Sequence, residues 1–101
     1  MKNLGEMMKK AQEFQSKMAG IQEEMSALEV TGSSGGDMVQ VTLNGKGEAC
    51  SVKIDPKLIV PEDSQILEDL ILSAFNIAKE KAEKAMQERM SELTGGLGLP
   101  P

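Results

Sequence analysis

The chain has 101 residues, with 11 Lys or Arg against 16 Asp or Glu and no His, a formal net charge of −5 at neutral pH. That length makes one domain with a thin core, burying little more than ~60% of its unfolded surface, which a second copy of the chain would extend. Without His and with a single Cys, it cannot build a Ser-His-Asp or Cys-His nucleophile pair, an internal disulfide or a Cys/His metal cluster.

From the N-terminus, apolar residues recur at Leu4, Met7, Ala11, Phe14, Met18, Ile21, Met25 and Leu28, in alternating steps of three and four. This is a heptad seam and predicts a helix of about 25 residues, roughly 37 Å long at 1.5 Å per residue. A compact 100-residue globule has a radius of gyration near ~13 Å, so such a helix should project beyond its own body. The seam reads as a core stripe against the chain's second helix, for its inner half, or as a self-association interface. Its Ala and Met content makes that interface adaptable.

The middle third changes period. Leu28 to Thr31, Met38 to Leu43 and Ala49 to Asp55 read as short antiparallel strands, with Val39, Val41 and Leu43 sharing one face of their strand and Cys50, Val52 and Ile54 sharing one face of theirs. Asn44-Gly45 is a strong hairpin signal, lengthened by Lys46-Gly47. One sheet face is apolar and must be covered by helices, while Gln40, Thr42, Ser51 and Lys53 form the polar face. Asp55-Pro56 offers an N-cap followed by Pro at the first helical position, predicting a short turn through Lys57-Leu58-Ile59.

A second long helix follows the start signal Pro61-Glu62-Asp63-Ser64. Its first half, with Leu67, Leu70, Ile71, Ala74, Phe75, Ile77 and Ala78, reads as buried. The alanine-rich, charged second half, with Ala82, Ala85, Met86, Met90 and Leu93, reads as more exposed. Thr94-Gly95-Gly96 stops it. The expected fold is α+β: an α-β-β-β-α domain over residues 1–94 with a three-stranded antiparallel sheet and two long helices, forming a homodimer, then a flexible Gly/Pro tail at 95–101.

Candidate functional features are few. Gly32 to Gly36 lacks the Gly-Lys-Ser/Thr ending of a P-loop and is not a GxGxxG turn, so it reads as a strand connection. Cys50 alternates with Val52 and Ile54 and reads as a small buried hydrophobe. Neighbouring carboxylates such as Glu23-Glu24 point apart on a helix and suggest no catalysis. Phe14 and Phe75 are the only aromatics, which disfavours single-strand binding by base stacking. No apolar stretch approaches the ~20 residues of a membrane span or resembles a signal peptide, so the expected compartment is the reducing cytoplasm.

Basic residues lie on both helices: Lys2, Lys9, Lys10 and Lys17 on the first, Lys79, Lys81, Lys84 and Arg89 on the second. Glu6, Glu13 and Glu80 each precede a lysine by four positions, the favourable order for solvated intrahelical pairs with Lys10, Lys17 and Lys84. Residues 1–30 hold four bases and five acids, residues 31–61 three and three, and residues 62–101 four and eight. A nucleic-acid surface would therefore centre on the first helix and the sheet.

Several segments together carry a resemblance. Met8-Lys9-Lys10-Ala11-Gln12, Gln15, Lys17-Met18, Leu28-Glu29-Val30-Thr31-Gly32, Asn44-Gly45, Ile54-Asp55-Pro56, Leu67-Glu68-Asp69-Leu70, Ala74-Phe75-Asn76 and the Gly96-Leu97 to Leu99-Pro100 ending occur in order over nearly the whole chain. In these the chain resembles the YbaB/EbfC family of bacterial nucleoid-associated proteins. The resemblance implies a tweezer-shaped homodimer in the nucleoid whose projecting helices grip duplex DNA and alter its conformation, with roles in nucleoid organisation and gene regulation. Carried over residue by residue, the implied DNA contacts are Lys9, Lys10, Gln12, Gln15 and Lys17, with Lys84 and Arg89 as additions near the end of the second helix. Asp37, where the family often continues with glycine, would repel phosphate and argues against a loop contact. Ile77 stands where an acidic residue is common.

The functional expectation is thus a non-enzymatic homodimer that binds duplex DNA mainly through the backbone, with no metal, cofactor, membrane or small-molecule partner. The alternative is a homodimeric protein-interaction scaffold using the Met-rich helix faces.

Overall fold

Two long helices bracket the sheet in the expected order: α1 (Leu4–Ala27), β1 (Glu29–Ser34), β2 (Val39–Asn44), β3 (Ala49–Ile54) and α2 (Ser64–Gly96). The computed structural model describes residues 4–96, so Lys2 and residues 97–101 of the expected tail lie outside the described residues. Gly95 and Gly96, assigned to that tail, form the last residues of α2. Pro56–Leu58 makes the short turn, and the Asp55 carboxylate accepts the Lys57 N–H at 2.9 Å as its cap. A second single turn at Pro61–Asp63 leads into α2.

The sheet is antiparallel in the order β1-β2-β3. Val39, Val41 and Leu43 alternate along β2 onto one face, are essentially inaccessible, and form the centre of the body's core. Above them lies α2, seated through Ala74, Ala78 and Ala82 at four-residue spacing, all buried. These small residues let the helix approach the sheet closely, and Gly32 completes the fit. A Cβ there would come within 2.1 Å of the Ala74 carbonyl oxygen and 2.5 Å of the Ala78 amide.

That contact explains a first correction. The stretch from Gly32 to Gly36 is not all connection, because Gly32, Ser33 and Ser34 continue β1 beneath α2 and only Gly35 to Met38 turn. Ser34 Oγ donates to the Leu70 carbonyl at 2.6 Å, adding a polar tie between strand and helix. Asp37 has φ 69°, following Gly35 and Gly36 at 61° and 62°, a left-handed run that Gly and Asp tolerate better than most residues.

A second correction concerns Cys50, which is exposed. The β2–β3 register shifts after Thr42, so that Ser51 opposes Thr42 and Ala49 opposes Leu43. Cys50 is the extra residue of a bulge and has no partner, and Ala49 takes its place beside Val52 and Ile54.

A third correction concerns α2, whose burial does not simply decline along its length. Its most buried residues are the alanines and Leu93, whereas Ile66, Leu72 and Ile77 in the apolar first half are exposed. The physical cause is the seating of α2 across β1 and β2 rather than β3, which leaves the β3 flank of the helix uncovered.

A separate apolar cluster joins Ile21 and Met25 of α1 to Leu93 of α2, with Phe14, Met18, Leu28, Met86 and Met90 packed around it. The inner half of the heptad seam is thus a stripe against the chain's own second helix. The whole is elongated, with extents of 71 × 21 × 16 Å and a radius of gyration of 19.6 Å, well beyond the ~13 Å of a compact chain this long.

Candidate nucleic-acid interface

The projecting helix is anchored at its base by the β2–β3 hairpin. Asn44 is buried and organises the turn: its Oδ1 accepts the Lys46 and Glu48 amides at 2.9 and 3.0 Å, and its Nδ2 donates to Glu48 Oε1 at 2.7 Å. Held this way, the Gly45 N–H reaches the end of α1, donating to the carbonyls of Met25 in its last turn at 2.7 Å and of Leu28 just beyond it at 3.0 Å. A Cβ on residue 45 would sit 2.9 Å from the Met25 carbonyl oxygen, so glycine is required by the close approach. The hairpin tip therefore supplies the C-terminal cap of α1 and directs its exit from the body.

Further along, Arg89 of α2 binds Glu24 of α1 at 2.6 Å and also Glu92 of its own helix. Its hydrogen bonds to Glu24 and then Glu92 raise its pKa above the ordinary arginine value. Arg89, named as a phosphate contact on sequence grounds, is placed between two carboxylates and ties α1 to α2. Lys81 is likewise engaged, its Nζ donating to the Thr31 carbonyl on β1 at 2.7 Å. Lys84 is exposed but borders a shallow groove together with Glu80 and Glu83, which oppose its field.

On α1, all of Lys9, Lys10, Gln12, Gln15 and Lys17 are exposed. At 100° per residue, Lys10 and Lys17 share a stripe within about 20°, while Lys9 turns about 100° away and Gln12 and Gln15 lie on the opposite flank of the seam. The five surround the arm rather than lining one face. Among the described residues the ion pairs are those of Arg89, so the expected pairs Glu6–Lys10, Glu13–Lys17 and Glu80–Lys84 are not closed. An exposed pair of this kind gains only a few tenths of a kcal/mol, roughly what fixing two long side chains costs. The α1 ammonium groups remain solvated and free for another anion.

From Leu4 to Lys17 the arm carries three lysines against two glutamates, a local excess of positive charge on a chain of net −5. Sequence reasoning missed one juxtaposition: Lys46 at the hairpin tip and Lys79 on α2 border a single groove of ≈ 290 Å³, which Phe75, Met86 and Glu83 also line. Residues this far apart in the chain carry no local signal of their proximity.

The sequence profile of the YbaB/EbfC DNA-binding family matches residues 1–97. A nucleoid-associated protein of Paramagnetospirillum magneticum is 64% identical over 101 residues, covering 100% of this chain and 94% of that protein. One of Rhodospirillum rubrum is 54% identical with the same coverage. An uncharacterized protein from Helicobacter pylori has a crystal structure similar to this fold, at a TM-score of 0.67 and 27% identity, covering 77% of this chain and 90% of that one.

Proposed function

We propose, from the premise that the chain belongs to the YbaB/EbfC DNA-binding family, that it binds duplex DNA as a homodimer, mainly through the phosphate backbone, and alters the DNA's conformation in the bacterial nucleoid. The observation that carries this reading is the projecting α1 helix, whose Lys9, Lys10 and Lys17 are exposed and unpaired while the acidic excess lies on α2. Phosphate contacts need only cations with reach, which this arm supplies, and nothing here resembles a groove-reading recognition motif.

The homodimer is supported by what one chain leaves open. Among the described residues the outer edge of β3 has no strand beside it, and a groove of ≈ 380 Å³ next to it is lined by Val41, Ala49, Val52, Ile71, Leu72 and Phe75, with the Glu68 carboxylate among them. Val52 is 50% and Leu72 61% exposed. An uncovered strand edge beside a contiguous apolar patch is costly in a monomer and suits a second copy.

The test is duplex binding across a salt series. At about −0.9 per neutralised phosphate, Lys9, Lys10 and Lys17 on two arms would together contribute about −5 to the slope of log K against log salt. Lys9→Glu with Lys10→Glu should abolish binding and leave the dimer intact. Retention of wild-type affinity would remove α1 from the site, and absence of wild-type binding even at low salt would leave the protein-interaction scaffold as the better reading.

A further inference from the structure

Three large apolar side chains stand in solvent at the free end of α1: Leu4, Met7 and Met8 are 68%, 66% and 60% exposed. With Ala11 they form an i, i+3, i+4, i+7 stripe that prolongs the seam beyond its covered part at Ile21 and Met25. Helix formation does not require them there, since Lys, Glu or Gln at exposed positions serve a helix as well. Their use lies outside the fold.

The surroundings of the stripe select the occupant. Lys9 and Lys10 lie within the next turn, and the arm around them is locally positive. On the helix wheel Lys10 flanks the stripe by about 100° on one side and Gln12 by about 90° on the other, with Gln15 continuing it. A stripe that is apolar along its middle and cationic or polar at its margins matches duplex DNA, whose stacked bases lie between two rows of phosphates. Leu and Met are among the side chains that minor-groove proteins insert between base steps, unstacking them and kinking the duplex, while Lys and Gln hold the flanks.

We infer that Leu4, Met7 and Met8 form a wedge that enters the minor groove and unstacks a base step, so that the arms bend DNA as well as hold it. This rests on the duplex-binding reading above and supplies the physical means by which conformation would change.

The experiment uses short duplexes carrying a donor and an acceptor dye at their ends and 2-aminopurine at each step in turn, titrated with the wild-type chain and with Leu4→Gln, Met7→Gln, Met8→Gln combined. Wild-type binding should shorten the end-to-end distance and raise 2-aminopurine fluorescence. The triple variant should lose both signals, remain dimeric by sedimentation, and keep its phosphate-dependent salt slope. Loss of affinity in the variant, together with the wild-type unstacking signal, supports the wedge as well. Wild-type binding without unstacking, an undiminished signal from the variant, or dissociation of the dimer by the substitutions overturns it. Absence of any wild-type binding at low salt overturns the duplex reading itself, which sets that failure apart from failure of the wedge alone.

Discussion

Gly32 shows how much a single residue decides in this fold. A methyl group there would meet backbone atoms of α2 at 2.1 and 2.5 Å, and backbone cannot step aside as a flexible side chain can. Gly32→Ala should therefore lift β1 from α2 and cost about 3 kcal/mol, the upper range for overpacking, seen as a lower urea midpoint. Gly36→Ala is the control: its Cβ would meet nothing, so only the strain of φ 62° remains, about 1 kcal/mol. An equal loss from both substitutions would contradict the close-approach account. Cys50 illustrates the opposite case, a residue whose expected burial is undone by one unpaired bulge position.

At the scale of elements, α1 is held to the body by three devices: the Gly45 cap, the Ile21–Met25–Leu93 cluster and the Arg89–Glu24 tie. The tie is exposed and solvent-screened, so Arg89→Gln should leave global stability almost unchanged while α1 amides exchange faster and β2 amides do not. Uniform acceleration would show that Arg89 supports the whole fold instead. The raised arginine pKa adds a pH expectation. A cation favoured in the folded state contributes stability fully below its unfolded pKa and loses it only as pH rises through the folded value, which here lies above the ordinary arginine range. With no His in the chain, arm protection should be flat between about pH 5.5 and 7.

For the molecule as a whole, elongation follows from having two separate cores. One lies between α2 and the sheet, the other at the α1–α2 junction, and the length of 71 Å is the distance spanned by both plus the free end of the arm. The proposed second copy would cover the flank that neither core uses. Val52→Glu with Leu72→Glu places carboxylates where that interface would bury them without partners. Sedimentation at the mass of one chain is the expected outcome, with the helical signal retained; an unchanged dimer would move the interface elsewhere. The net charge of −5 does not oppose DNA binding uniformly, because the positive arm and the acidic α2 are distinct parts of the surface.

Much of the fold was legible because it rests on local chemistry. The three-four alternation from Leu4 to Leu28 specified α1, Asn44-Gly45 the hairpin, and Asp55-Pro56 the capped turn, since each depends on residues within a turn or two of one another. The candidate lysines on α1 could be named for the same reason, as could the projection of the helix, which follows from its length alone. Tertiary structure decided what depends on distant partners. It seated α2 over two strands through Ala74 and Ala78, drew Gly32 into β1, bound Arg89 to Glu24, and divided the seam into a covered inner half and an exposed tip. Spacing along the chain specifies which residues share a face. What covers that face, or leaves it open to solvent, depends on the geometry of packing between elements far apart in sequence.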